Sequence, residues 1–214
     1  MASTRPGADA FAVAVFAKAP VAGEVKTRLV PPLAADEAAD LHQWLVRRAL
    51  QTATRSGARA VTLWCAPDCM HPFFAECERD FRVTLHAQSG ADLGERMASA
   101  FEALAGDAPV LLMGSDCPAL TEKDLQRAAA SLVTHDVVLQ PAEDGGYVMV
   151  GKRRACPAIF AGIDWGKATV MRETRRRLRE AGVTWREMPT RWDVDRPADY
   201  ERLKALGWYP GPSP

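Results

Sequence analysis

Asp116 follows directly on the apolar run "PVLLMGS" (109–115), at the point where a strand would leave the core. A carboxylate there is a hard oxygen donor of the kind that Mg2+ or Mn2+ binds, usually through one or two carboxylates plus substrate phosphates. Its plainer use would be to cap the next helix. Thr121 with Asp124 three residues on already has the capping-box spacing, so that role is filled. A second group of chemistry-bearing residues lies in "AKAPVAGEVKTRLVPPL" (17–33). Lys18, Lys26 and the fork-shaped Arg28 offer the donors a diphosphate needs, and Gly23 permits close backbone approach or a positive φ. The loop is neither G-x-G-x-x-G nor a Walker A sequence, and a solvated surface loop would have a similar composition.

Three further stretches carry side chains that could meet a ligand. In "QSGADLGERM" (88–97), Gln88, Ser89 and Gly90 could read a base or ribose, while Asp92 with Glu95 has the spacing of a helix cap. In "EDGGYVMVG" (143–151), Gly145 and Gly146 would let backbone approach a sugar or acceptor. Asp144 would serve there as hydrogen-bond partner or base and Tyr147 as a wall; the same letters also make a plain turn. Trp165 could stack on a substrate ring or seal the core edge. In "RWDVDRPADYERL" (191–203), an extended D-V-D projects Asp193 and Asp195 to one side, as a cation site requires. Asp195 ahead of Arg196-Pro197 could instead cap a helix.

These groups need strands to position them, and the chain supplies them. Short apolar runs at 11–17, 58–66, 81–88, 109–115 and 135–142 read as strands buried on both faces. Helical patterns at 35–56, 71–79, 92–105 and 121–133 alternate with them. After residue 142 a turn enters a further strand, then a helix at 168–181, a strand in "VTWREMP" and a closing helix in "PADYERLKAL". The alternation predicts a mostly parallel sheet with helices on both faces, whose ligands lie outside the carboxyl ends of the strands. One domain over 11–206 is expected, with a flexible N-terminus (1–10) and a C-terminal tail (207–214).

Composition narrows the function. Lys+Arg and Asp+Glu both number 27 in 214 residues, so no global basic field exists to gather nucleic acid or anionic membrane. No run reaches the roughly 18–20 apolar residues of a membrane span. "FAVAVFAKAP" (11–20) reads as a first strand; Asp9, Lys18 and Pro20 speak against a signal peptide. Five cysteines, an odd number, suit reduced thiols and a cytoplasmic setting. The arginine run 172–179 has the i,i+4 acidic partners of a solvated helix, and the four histidines fall in no ligand spacing.

"FAKAPVAGEVKTRL", "QSGADLGERM", "GSDCPAL", "PAEDGGYVMVG" and "WDVDRPADY" occur in the order and spacing of a bacterial family, over residues 11–206. The chain resembles that family of GT-A-type glycosyltransferases or nucleotide-diphospho-sugar transferases, found beside radical SAM and selenodomain proteins. The family is similar in turn to phospholactate guanylyltransferase and to nucleotidyltransferases of the molybdopterin-guanine type. The resemblance implies a three-layer, Rossmann-like GT-A α/β fold with a mostly parallel central sheet. It also implies Lys18, Lys26 and Arg28 on the phosphates, Gln88 and Gly90 near the base or ribose, and Asp116 on Mg2+ or Mn2+. Asp195 would close the metal site, Asp193 being the lesser candidate. The expected activity is metal-dependent transfer from a nucleotide or nucleotide-sugar donor to a small-molecule acceptor. Nucleotidyl transfer with pyrophosphate release and a non-catalytic nucleotide-binding module are the alternatives. The chain lacks the "GxGxRM…PK" loop of sugar-phosphate nucleotidyltransferases and has Arg196 where Thr is usual.

Overall fold

A computed structural model of the chain describes residues 11–106, 108–153 and 156–211; the expectations for 1–10 and 212–214 lie outside them. Every apolar run becomes a strand: β1 Ala12–Lys18, β2 Ala60–Ala66, β3 Thr84–Ala87, β4 Val110–Gly114 and β5 Val137–Pro141. The later strands are β6 Tyr147–Lys152 and β7 Trp185–Glu187. The helices are α1 Ala35–Arg55, α2 Pro72–Phe81, α3 Leu93–Ala103, α4 Glu122–Ser131, α5 Val170–Glu180 and α6 Pro197–Ala205.

The strands form one sheet in the order β3-β2-β1-β4-β6-β5-β7. Strand β6 runs antiparallel to β4 and β5, and the remaining pairings are parallel. Side chains alternate across it as a doubly covered sheet demands. Val13, Val15 and Ala17 of β1 pack with Val46 and Leu50 of α1, Phe74 of α2 and Leu125 of α4. Ala12, Ala14 and Phe16 face the other layer, with Met97 and Phe101 of α3 and Met171 and Leu178 of α5. The predicted three-layer α/β architecture is what the chain adopts.

A third apolar cluster matters most to the site. It joins Leu29 and Leu33 of the first loop, Leu41 and Leu45 of α1, Trp192 and Val194, and Tyr200 and Leu203 of α6. The loop after β1 and the segment before α6 are therefore locked together by core packing. Tyr209, in the stretch expected as a tail, is buried in this cluster against Trp44 and Tyr200, and Trp208 stacks on Trp192. The packed chain thus continues past residue 206.

Local signals act where they were read. Thr121 accepts from Asp124 N and Asp124 accepts from Thr121 N, closing the capping box of α4. Asp92 accepts from Glu95 N at the start of α3. On α5, Arg176 pairs with Glu173 and Glu180, and Arg175 pairs with Glu187. None of the five cysteines is in a disulfide. Among the described residues no helix is long and apolar enough to cross a membrane.

Candidate active site

Strands β1 and β4 are neighbours in the sheet although α1, β2, α2, β3 and α3 separate them in sequence. Their carboxyl ends mark the topological switch point, where open α/β sheets hold their ligands. Lys18 ends β1, and Ser115 and Asp116 follow β4. A cavity of about 610 Å3 opens there, lined by Lys18, Lys26, Arg28, Gln88, Asp116 and Asp195. Residues from four stretches, the first loop, the segment after β3, the end of β4 and the segment before α6, thus line one place.

Within this outer cavity Lys26 is the central cation. Its ammonium lies 2.7 Å from Asp116 Oδ1 and donates to the carbonyl of Val194 at 2.7 Å. The side chain is only 5% exposed, because Val25 and Leu29 on either side of it are core residues. Lys26 also sits in the left-handed region at φ 49°, unusual for a residue with a Cβ and a form of local strain that clusters at functional sites. Arg28 is exposed and holds Asp195, Nη1 to Oδ2 at 2.6 Å. Asp195 therefore does not cap α6; Asp199 takes that part by accepting from Arg196 N.

Asp116 is held from one side only. Oδ1 receives Lys26 and, at 3.3 Å, the hydroxyl of Ser115. Oδ2 has no protein partner among the described residues, and the side chain is 47% exposed to the cavity. Burial works to raise this carboxyl, but the charge and hydrogen bond of Lys26, with the hydroxyl of Ser115, more than offset it and leave the group below its ordinary range. The anion is thereby kept ready at neutral pH. Among the described residues no group of three or more His, Cys, Asp or Glu is arranged to hold a metal. The donor set fits a hard cation whose shell is completed by phosphate oxygens and water.

A second cavity of about 220 Å3 adjoins the first, sharing Phe16, Leu93 and Gly114 with it. Its walls are largely apolar, from Met97, Leu112, Tyr147, Met149, Trp165 and Val170, and its charged groups are Asp144, Asp193 and Lys167. Tyr147 and Trp165 meet edge to face at 6.2 Å, so Trp165 both walls the cavity and packs on the core. Asp144 accepts from Gly146 N, which fixes the turn between β5 and β6.

Some expected roles are filled differently. Gly145, at φ +91°, does not line this cavity: a Cβ there would fall 2.3 Å from the carbonyl oxygen of Ala168, and its own carbonyl accepts from Met171 N. The close approach it permits is to the protein's own backbone. Gly90, at φ +141°, is similarly pressed against Glu95 and Arg96, and outside the outer cavity. Gly23 turns the first loop at φ +81° without lining the cavity. Gln88 does line it, with its amide nitrogen bonded to the carbonyls of Trp64 and Ala17. Asp193 and Asp195 do not share one site, the first lining the inner cavity and the second the outer.

Two residues gained importance from the structure. Burial raises the Asp193 carboxyl to about 7, assisted by the charges of Asp144 and Asp116 and opposed by Lys26. A carboxyl raised on folding stabilises the native state least at high pH: its cost is absent well below pH 4, sets in as pH passes the ordinary value of 3.8, and grows until pH passes about 7. Asp193→Asn should therefore raise the melting temperature of the metal-free protein at pH 8 and raise it much less at pH 4.5. Equal shifts at both pH values would contradict this. The other is His42 of α1, 4% exposed, whose ring lies 3.9 Å from Asp116 and whose burial lowers its pKa. Ala38, Leu41, Leu45 and Ala49 form the buried stripe of α1, and a histidine inside that stripe was the available signal.

Comparison with known proteins agrees with this architecture. The model of a family described as uncharacterized protein conserved in bacteria (DUF2064) matches residues 49–167, more than half of the chain. A solved structure from Desulfovibrio desulfuricans G20, provisionally assigned as a nucleotide-diphospho-sugar transferase, has a TM-score of 0.80 at 31% identity. That alignment covers 92% of this chain and 96% of the other. A Methanothermobacter nucleotidyl transferase follows at TM-score 0.62 and 15% identity, covering 92% and 96%. A CMP:2-keto-3-deoxy-manno-octonic acid synthetase complexed with CTP has a TM-score of 0.56 at 14% identity, covering 92% and 98%. The last two show a shared fold. No curated protein matches the sequence.

Proposed function

The chain belongs to the DUF2064 family of bacterial proteins, and from that premise we propose that it is a transferase acting on a nucleotide-diphospho-sugar donor with a divalent metal. The observation that carries this reading is the outer cavity at the sheet's switch point, which Lys18, Lys26, Arg28 and Asp116 line together, with Lys26 in contact with Asp116. The relative from D. desulfuricans supports the same class of donor. Asp116, through its open Oδ2, and Asp195 would hold Mg2+ or Mn2+. When bound, the cation supplies Lewis-acid neutralisation of the charge that grows on the departing diphosphate.

The chain's own groups do the rest. Lys18 and Arg28 bind the phosphates electrostatically, and Arg28 must exchange Asp195 for phosphate or bridge the two. Lys26 holds the Asp116 carboxylate in a fixed rotamer, so that little reorganisation accompanies charge transfer. The apolar walls of the inner cavity exclude water from the transferred group, with Trp165 and Tyr147 beside it. Asp144 is the candidate to accept the proton of the acceptor hydroxyl.

Nucleotidyl transfer is the second reading, supported by the fold neighbours that perform or bind for it. One experiment addresses both. A thermal-shift screen of nucleotides and nucleotide sugars with and without Mn2+ is expected to find a donor whose stabilisation needs the metal. Release of pyrophosphate on turnover of a nucleoside triphosphate would replace the first reading by the second. Absence of any metal-dependent stabilisation across the panel would defeat both.

A further inference from the structure

His42 projects from α1 and lines the outer cavity, yet the reading above gives it no part. Its Nε2 lies 3.0 Å from the carbonyl oxygen of Lys18. A carbonyl only accepts, so Nε2 carries the proton, and in the neutral ring Nδ1 is left as an acceptor. That Nδ1 is buried and has no hydrogen-bond partner among the described residues. It stands 3.9 Å from Asp116 Oδ1, another acceptor.

A buried acceptor in a finished protein is normally paired. Two nearby donors are turned elsewhere: Lys26 serves Asp116 and Val194 O, and Ser115 serves Asp116. A ligand entering the cavity can bring that donor. A diphosphate at neutral pH offers oxygen acceptors. Mg2+ and Mn2+ held by few carboxylates and phosphates, by contrast, keep several waters, each with protons to donate.

We propose that His42 is a positioning residue whose Nδ1 accepts a hydrogen bond from a water of the divalent cation, orienting the hydrated cation against Asp116. This rests on the metal-diphosphate reading of the cavity. It adds a residue outside the phosphate and carboxylate set, and it assigns the imidazole a tautomer: Nε2–H toward Lys18, Nδ1 toward the ligand. Outer-shell partners of this kind commonly govern metal affinity by ten- to a hundredfold.

The test uses inorganic pyrophosphate as probe, titrated calorimetrically with and without Mn2+. His42→Gln can still donate toward Lys18 O but has no acceptor at the Nδ1 position, whereas the Oδ1 of His42→Asn falls near it. For His42→Gln we expect affinity for the manganese–pyrophosphate complex to fall about tenfold while affinity for pyrophosphate alone stays as in the wild type. His42→Asn should recover most of the loss, and water-proton relaxation by the bound Mn2+ should change in the glutamine variant. Unchanged manganese–pyrophosphate affinity in a folded His42→Gln protein, or an equal loss with and without metal, overturns the assignment. If the wild type binds neither form, the diphosphate reading itself fails and this inference with it; wild-type binding with an unaffected variant overturns this inference alone.

Discussion

Asp116→Asn is expected to abolish metal-dependent binding and turnover while leaving a folded protein. The side-chain oxygen of asparagine can still accept from Lys26, so the link between the first loop and β4 survives. What disappears is the charge at Oδ2, the free oxygen that faces the cavity. A donor present at a hundred times its dissociation constant stabilises the wild type by about 2.7 kcal/mol. In a domain of this size that is roughly 5–10 °C of melting temperature. The variant should keep its ligand-free melting temperature within a few degrees and show none of that metal-dependent rise. Turnover should fall about 10²–10³-fold or more, as when a group that stabilises developing charge is lost. A metal-dependent shift of wild-type size in the variant would remove Asp116 from the site.

Lys26→Met is the second large effect, and it falls on stability as well as binding. The ammonium is nearly inaccessible and serves two acceptors, Asp116 Oδ1 and Val194 O. Methionine fills the volume but leaves the Val194 carbonyl without its donor and Asp116 without its counter-charge. An unsatisfied buried acceptor costs about 1–3 kcal/mol. Because Asp116 is half-exposed, water takes over part of the lost pairing, so the full penalty of a severed buried ion pair does not apply. The expected drop is about 2–4 °C for each kcal/mol, together with loss of diphosphate affinity. Adding Asp116→Asn should cost less than the two single losses summed, because the variants share one interaction. A Lys26→Met protein that melts like the wild type would show the contact to be idle.

Much of the architecture could be read from residues alone because the local signals agree with one another. The run at 11–17 is apolar at every position, as a strand covered on both faces must be, and β1 is buried on both sides. Thr121 and Asp124 cap α4 by the chemistry their spacing announces. The convergence of Lys18, Lys26, Arg28 and Asp116 followed from placing each just after a strand. What escaped was the pairing inside the site. Nothing local distinguishes Lys26, which is buried and held by Val194 from 168 residues away, from exposed Arg28, which pairs with Asp195. His42 escaped because its partner is a main-chain carbonyl, which leaves no trace in side-chain spacing. Gly145 looked like a ligand contact because a glycine pressed on backbone reads the same whether that backbone is its own or a substrate faces it.

The Lys26–Val194 bond has a further consequence, for biosynthesis. A domain folds as a unit, and its amino-terminal residues leave the ribosome first. The residues of β1 to β4 are synthesised well before 192–203, so the first loop of a nascent chain lacks the partner that buries Lys26 until the end of the domain emerges. The proposed nucleotide binding should therefore appear only late in translation, when α6 docks, and a chain arrested before Trp192 should expose Leu29 and Leu41 to chaperones.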